Sequence, residues 1–322
     1  MKALGIGLED EDLKISKQPN CSIWFVAFSL LGLLHAEEPD DTRIIHRILQ
    51  TREAILNILP DPKLAPSPVF LAFWDFDGTI LKGDCSEGLR IGGQVVYRGL
   101  AEVAIQNGLS ELYPPDGGFG RFWTDYTNMD ARIGHWLAYP FIPQMLRGAK
   151  AEDVLRLSES QFAHTLSNYL MASSVKIMRA LERGGVESHV ISASAALFVK
   201  GAAPSLGIPA SHIHGIEVRT RQGRLTEELL HPVTWNAGKL ERLKQITAGI
   251  EGEPGQRKVF VLAGFGDSYN TDGPFLKFIA TQSLPAGKSI AVFYDYDDTA
   301  ESPEYKGLFY HARHNATVRD KP

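Results

Sequence analysis

Hydrophobic and polar positions alternate between two rhythms along this chain, and each change of rhythm marks an element. Val69 to Trp74 (VFLAFW) is a continuous apolar run of β-favouring types, suited to a strand covered on both faces of a sheet. Similar runs recur at Ser188–Ile191, which ends at Ser192, at Lys258–Ala263 and at Ser289–Tyr294. Helical spacing fills the intervals: Val175–Arg183, stopped by Gly184-Gly185, then Ala195–Ala202, and Gly238–Ile246 with Leu240, Leu243 and Ile246 inward. His212–Val218 and Arg224–Glu227 read as a hairpin turning at Gln222-Gly223. Strands alternating with helices predict an α/β fold built on a doubly wound, mainly parallel sheet.

Two regions depart from that alternation. Residues 88–172 carry helical patterns and loops, with helices expected at Thr124–Tyr139 and Ala151–Met171 and no alternating strand. At the other end, residues 41–59 repeat isoleucine and leucine at helical spacing before Pro60 and Pro62, an amphipathic helix packed outside the core. Ahead of it, the apolar run Ile23–Leu34 follows Lys14 and Lys17 and precedes the acidic Glu37–Asp41. About a dozen apolar residues are short for a membrane span, and the order of charges resembles a secretory signal. Residues 1–36 are therefore taken first as a cleaved signal, which places the protein in the periplasm or outside the cell. A membrane anchor is the second reading and an internal segment the third.

Composition narrows the function. The 322 residues are 44% hydrophobic, enough for a core, and 33 basic against 38 acidic residues leave a net charge of −5. That balance gives no footprint for nucleic acid or an anionic membrane. Cys21 and Cys85 imply no disulfide framework, and Cys85 reads as a small filler rather than a nucleophile.

The chemistry begins where the first strand stops. Asp75-Phe76-Asp77-Gly78-Thr79 puts two carboxylates at a strand's C-terminal end, in the crevice where open α/β folds bind ligands. Two buried anions there ask for a cation, and oxygen-only ligands suit Mg²⁺. An Asp-Gly turn after a strand is the plainer reading of the same residues. Ser192 ends a second strand, where a hydroxyl and the following N–H groups can cradle phosphate or simply cap a helix. Lys239 opens a helix and can neutralise a phosphoryl oxygen, although most helix lysines are solvated. Asp267 and Asp272, in GFGDSYNTDG after a third strand, supply a second acidic pair that could share one metal ion with the first.

In this order, Asp75/Asp77/Thr79, Ser192, Lys239 and Asp267/Asp272 resemble the motifs of the haloacid dehalogenase superfamily of phosphatases. The resemblance covers the chain after Pro66. It implies a Rossmann-like core over 67–87 and 173–322 and a helical cap over 88–172, with the amphipathic helix read from spacing set apart over 37–66. It also implies Mg²⁺-dependent hydrolysis of a small phosphorylated metabolite through an aspartyl-phosphate. Asp75 would be nucleophile and metal ligand, and Asp77 the general acid/base offering its carbonyl to the metal. Thr79 and Ser192 would hold phosphate, Lys239 would balance charge, and Asp267 and Asp272 would complete the metal shell. The insertion is similar to that of phosphoserine phosphatases. Tyr139-Pro140-Phe141, the V-I-S-A strand end and T-W-x-A-G-K are similar to bacterial phosphorylcholine phosphatases, with Asn270 replacing an acid and Gly78 also differing.

Substrate recognition is expected at Asp84, which matches an acid that meets an amino or ammonium group in related phosphatases, or else caps a turn near Ser86. Aromatic residues of 119–141, Trp123 and Tyr126 first among them, could cage a quaternary ammonium or form ordinary cap core. The rivals are a phosphotransferase or another enzyme of the same fold, and a catalytically silent binding protein.

Overall fold

The computed structural model describes residues 40–60, 67–252, 257–294, 302–314 and 316–320. The expected signal segment, 1–36, lies outside them. Six parallel strands form the central sheet in the order β10–β9–β8–β1–β4–β5. β1 (Val69–Trp74) runs between β4 (Glu187–Ala195) and β8 (Val259–Gly266). β5 (Ile213–Ile216) closes one edge, and β9 (Ile290–Tyr294) with β10 (Tyr310–Ala312) closes the other.

All six residues of β1 are buried, and their alternation divides them between two cores. Phe70, Ala72 and Trp74 join a cluster that takes Ile44, Ile48 and Ile55 from α1 (Asp40–Leu56). The same cluster takes Val175, Ile177, Met178 and Leu181 from α6 (Ala172–Arg183). Val69, Leu71 and Phe73 face the other way, against Leu243 of α9 (Ala237–Glu251) and Phe275, Leu276 and Ile279 of α10 (Tyr269–Thr281). Each such side chain contributes about 1.5–3 kcal/mol when fully buried. The sheet is thus covered on both faces, as its continuous apolar runs require. The chain passes from β1 to β4 and β5 on one side and then crosses to β8 on the other. That reversal opens a crevice at the C-terminal end of β1.

The insertion after β1 is mostly helical: α2 (Leu100–Gln106), α3 (Gly118–Arg132), α4 (His135–Gln144) and α5 (Ala151–His164). It is not strand-free. β2 (Gly88–Ile91) and β3 (Gln94–Arg98) form an antiparallel hairpin around Gly92-Gly93, whose φ values of +57° and +81° suit a tight turn. The single helix expected over Thr124–Tyr139 is two helices, because Gly134 at φ +113° redirects the chain. The helix expected to reach Met171 ends at His164 and passes into a 3₁₀ turn, Leu166–Tyr169.

Two further expectations shift. Of His212–Val218, Ile213–Ile216 joins the main sheet as β5, and only Glu217 and Val218 reach the segment after Gln222-Gly223. The hairpin consists of β6 (Val218–Arg221) and β7 (Arg224–Leu229). It docks on the inserted helices, with Gln144 Nε2 donating to the Glu227 carbonyl at 2.8 Å and Leu225 N to Ala149 O at 2.9 Å. Among the described residues, no helix is long and apolar enough to cross a membrane.

Candidate active site

Asp75 leaves β1 with its N–H still donating to Phe265 O at 2.8 Å, so it sits in register with the end of β8. The chain then turns sharply. Gly78 N bonds Leu81 O at 2.8 Å and Gly83 O at 3.1 Å, while Gly78 takes φ +79°. This turn separates the two carboxylates. Asp75 is buried and faces Lys239, whose fully buried ammonium contacts both Asp75 Oδ1 and Asp272 Oδ1, the latter at 2.6 Å. Asp77 faces away and receives Cys85 N–H at 2.6 Å, Ser194 Oγ–H at 2.7 Å and Ser192 Oγ–H at 3.4 Å.

Burial raises both acids, but their neighbours differ. Burial raises Asp75, against the pull of the Lys239 ammonium. Asp77 has no cation, and burial with the Asp84 charge pushes it up to about 7. Burial opposes the charge on Lys239, but Asp272 and Asp75 outweigh it and leave the ammonium's pKa raised. Cys85 is buried, and burial with the nearby Asp77 charge raises its thiol well above the usual range, so it is a filler without thiolate chemistry.

Asp267 and Asp272 arrive from the end of β8. Asp272 lies in the first turn of α10. There Asp272 Oδ2 accepts the main-chain N–H groups of Asp267 and Ser268 at 3.1 Å each. Burial and the Asp75 charge push Asp272 up to about 6 and Asp267 well above its ordinary value. Carboxylate oxygens of Asp75, Asp267 and Asp272 lie within 4.8 Å of one another. Among the described residues, none donates a hydrogen bond to the Asp267 carboxylate. Oxygen-only donors crowded around an uncompensated buried carboxylate fit a hard divalent cation such as Mg²⁺. The Asp77 side chain is not in that group; it clusters instead with Asp84 and Cys85.

A cavity of about 160 Å³ opens on these groups, lined by Asp75, Asp77, Asp84, Ser194, Asp267 and residues of the inserted helices. The insertion contributes Tyr126, Tyr139 and Ile142. Tyr126 OH donates to Glu87 Oε1 at 2.5 Å. Asp84 Oδ1 accepts Ser86 N–H at 2.6 Å and Glu87 N–H at 2.8 Å, so it caps a turn and also faces the cavity. Burial and the Glu87 charge push Asp84 up to about 7. A larger cavity, about 410 Å³, lies between α4, the start of α7 (Ala196–Lys200) and the β6–β7 hairpin, and none of the motif acids lines it.

Asp75, Asp77, Asp84, Tyr126 and Asp267 therefore meet at one cavity, with Lys239 and Asp272 bonded behind it. Three expected residues do not line it. Ser192 is buried, accepts Ser194 N–H at 3.0 Å and reaches Asp77. Thr79 is fully buried, its Oγ1 unpartnered and its carbonyl accepting Ser174 Oγ–H at 2.7 Å. Trp123 packs tilted against Phe119 and Tyr126 on the inserted helix and does not border the cavity. Asn270 is exposed and takes part through its carbonyl, which accepts from Asn236 Nδ2 at 2.6 Å, so an acid there would not have faced the cavity.

Sequence reasoning passed over Ser194 and Glu87, and counted Tyr139 among the cap aromatics of 119–141 without singling it out. Ser194 had a signal: β4 runs on to Ala195, and residues two apart on a strand point the same way, so Ser194 shares Ser192's side. The other two come from cap packing, which local sequence does not encode.

Comparison with known proteins agrees with this geometry. A sequence model of the haloacid dehalogenase-like hydrolases matches residues 72–277, from β1 through α10. No curated protein matches by sequence. A Bordetella pertussis Tohama I structure of unknown function is similar at 18% identity and TM-score 0.55, covering 74% of this chain and 93% of that one. A functionally unknown protein from Anaerococcus prevotii DSM 20548 is similar at 14% identity and TM-score 0.53, covering 84% and 87%. A phosphoserine phosphatase solved as a phospho-aspartyl intermediate analogue is more distant, at 16% identity and TM-score 0.44 over 79% and 97%. With the acids, the buried lysine and the parallel sheet in place, the family match over most of the chain makes this protein a member of the haloacid dehalogenase-like hydrolases.

Proposed function

We propose that the protein is a Mg²⁺-dependent phosphomonoesterase acting on a small phosphorylated amine through an aspartyl-phosphate. The observation that carries this reading is the unequal treatment of two neighbouring acids: Asp75 held by Lys239, and Asp77 without a cation and pushed up to about 7. Paired carboxyls, one held by an ammonium and the other carrying a proton near neutral pH, suit a nucleophile beside an acid.

Asp75 attacks phosphorus, forming one P–O bond as the ester P–O bond breaks. Asp77 delivers its proton to the departing oxygen and is left ionised. Ionised Asp77 then takes a proton from water, whose oxygen attacks phosphorus and restores Asp75. Asp75, Asp267 and Asp272 would hold Mg²⁺, with the Asp77 carbonyl completing the set. The ion supplies charge neutralisation for the phosphoryl oxygens. Lys239 balances Asp75 and keeps it aimed. Ser192 and Ser194 position Asp77.

The amine is supported by the far wall. Asp84 and the Glu87–Tyr126 pair put negative charge near the cavity, and Tyr126 and Tyr139 offer ring faces that favour a cation. At about 160 Å³ the cavity is below the ~300–1,000 Å³ typical of drug-sized ligands, which suits phosphocholine, phosphoethanolamine or phosphoserine rather than a polymer. Export to the periplasm, from the apolar run 23–34, belongs to the same proposal and rests on sequence.

Phosphate release from phosphorylated amines, amino acids and sugars, with and without Mg²⁺, tests the reading. Asp84→Asn is expected to raise KM for the preferred amine about tenfold, about 1.4 kcal/mol, and to leave an uncharged ester unaffected. Equal effects on both would remove the amine; no Mg²⁺-dependent release would remove the enzyme.

A further inference from the structure

At the opposite end of β4 from the catalytic acids, a second group of ligating side chains converges. β4 and β5 pair in parallel with Val190 opposite Ile213 and Ile191 opposite His214. Paired residues point to the same face, and residues two apart repeat it, so Glu187, His189 and His214 project from one face of the sheet, while His212, in the 3₁₀ turn before β5, reaches His189 by ring contact. The strand rise separates His189 from Ser192 by about 10 Å, so this group is distinct from the cavity.

The histidines are not satisfied by the protein. His189 is only 5% exposed, yet both of its ring nitrogens lack a hydrogen-bond partner. His212 Nδ1 and His214 Nε2 are likewise buried and unpartnered. The His189 and His212 rings stack at 4.1 Å between centroids and 17° between planes. An imidazole N–H buried without a partner costs about 1–3 kcal/mol, and neighbouring orphans compound that cost. One donor atom each from Glu187, His189 and His212 lies within 4.8 Å of the others. Tetrahedral Zn²⁺ needs donors roughly 3.3 Å apart, so binding would close the set by up to about 1.5 Å and turn the stacked imidazoles toward a common point. Glu187 and His212 are half-buried and leave a way in from solvent.

The geometry points to a transition-metal site, of the kind zinc fills, formed by Glu187, His189 and His212. Imidazole with one carboxylate selects such an ion over Mg²⁺, whose preference is for oxygen alone. His214 stays outside the set of three whose donor atoms converge. The ion would tie the start of β4 to the 3₁₀ turn Ala210–His212 that leads into β5, giving the sheet edge a staple away from the chemistry.

The full chain, stripped with chelator and then saturated with Mg²⁺, is titrated with Zn²⁺ by calorimetry and with Co²⁺ by visible absorption. One equivalent is expected to bind, to give a Co²⁺ d–d band and to raise the thermal midpoint. Asp267→Asn should keep all three signals. His212→Gln and Glu187→Gln should lose them, weakening Zn²⁺ by more than the ~10–100-fold typical of removing an outer partner of a ligand. Both substituted side chains are half-buried, and the apo thermal midpoint of each variant checks folding. Binding that survives in the folded His212→Gln and Glu187→Gln variants, that disappears in Asp267→Asn, or that is absent from the wild type overturns the proposal.

Discussion

Gly78 lies against the Asp267 carboxylate so closely that a Cβ built on it would stand 1.8 Å from Asp267 Oδ2. The first acidic motif and the last are thus fitted to each other through a missing side chain. Gly78 also takes φ +79°, where an L-residue costs about 1–2 kcal/mol.

Gly78→Ala therefore combines backbone strain with a displaced Asp267. The expected outcome is a loss of about 1–2 kcal/mol in unfolding free energy and a Mg²⁺ dependence shifted to higher concentration. Urea unfolding and a Mg²⁺ titration of activity check it. Wild-type Mg²⁺ dependence in this variant would mean that the two motifs are not coupled.

Proton and metal compete for the same carboxylates. Asp272 is pushed up to about 6 and Asp267 well above its ordinary value, both by burial first and the Asp75 charge second. A raised carboxyl contributes stability that is present in full below about pH 4 and is lost as pH rises through its folded pKa. Metal-free protein should accordingly lose this stability between about pH 4 and pH 7 and above. Mg²⁺ binds the ionised folded form, so its stabilisation should be small near pH 5 and largest near pH 8. Thermal midpoints with and without Mg²⁺ across that range measure it. An increment that stays flat with pH contradicts the assigned ligands.

Asp77 should matter in proportion to how much the leaving group needs a proton. Asp77→Asn is expected to reduce hydrolysis of an alkyl phosphate by about 10²–10⁴-fold. p-Nitrophenyl phosphate, whose phenolate departs unaided, should lose much less in the step that forms the intermediate. In the wild type, kcat/KM for the alkyl ester should fall above about pH 7, where Asp77 ionises. Pre-steady-state release of both leaving groups separates the cases, and equal losses would assign Asp77 a different role.

The sheet was legible because β1, β8 and β9 are continuous apolar runs that suit strands covered on both faces, and β4 carries a shorter apolar stretch at Val190-Ile191. The β2–β3 hairpin was not, because most of its residues are exposed and no apolar alternation survives. Its Gly92-Gly93 turn carried the signal instead. β10 has three residues, too few for any period. In the site, Asp75, Asp77, Lys239, Asp267 and Asp272 could be read because strand ends and helix starts place them. Asp272's helical setting was hidden by the Gly, Asn and Asp around it, residues that favour turns and also begin helices. Tyr139 and Glu87 depend on how the inserted helices settle over the sheet, which is tertiary packing.

The account turns on a covalent bond between phosphorus and Asp75. Substrate labelled with ³²P, mixed rapidly with enzyme, quenched in acid and reduced with borohydride, reads that bond directly by peptide mass spectrometry. The account predicts an acid-stable, hydroxylamine-labile label, homoserine in place of Asp75 after reduction, and neither in Asp75→Asn. A label on another residue, or full turnover by Asp75→Asn, would contradict it.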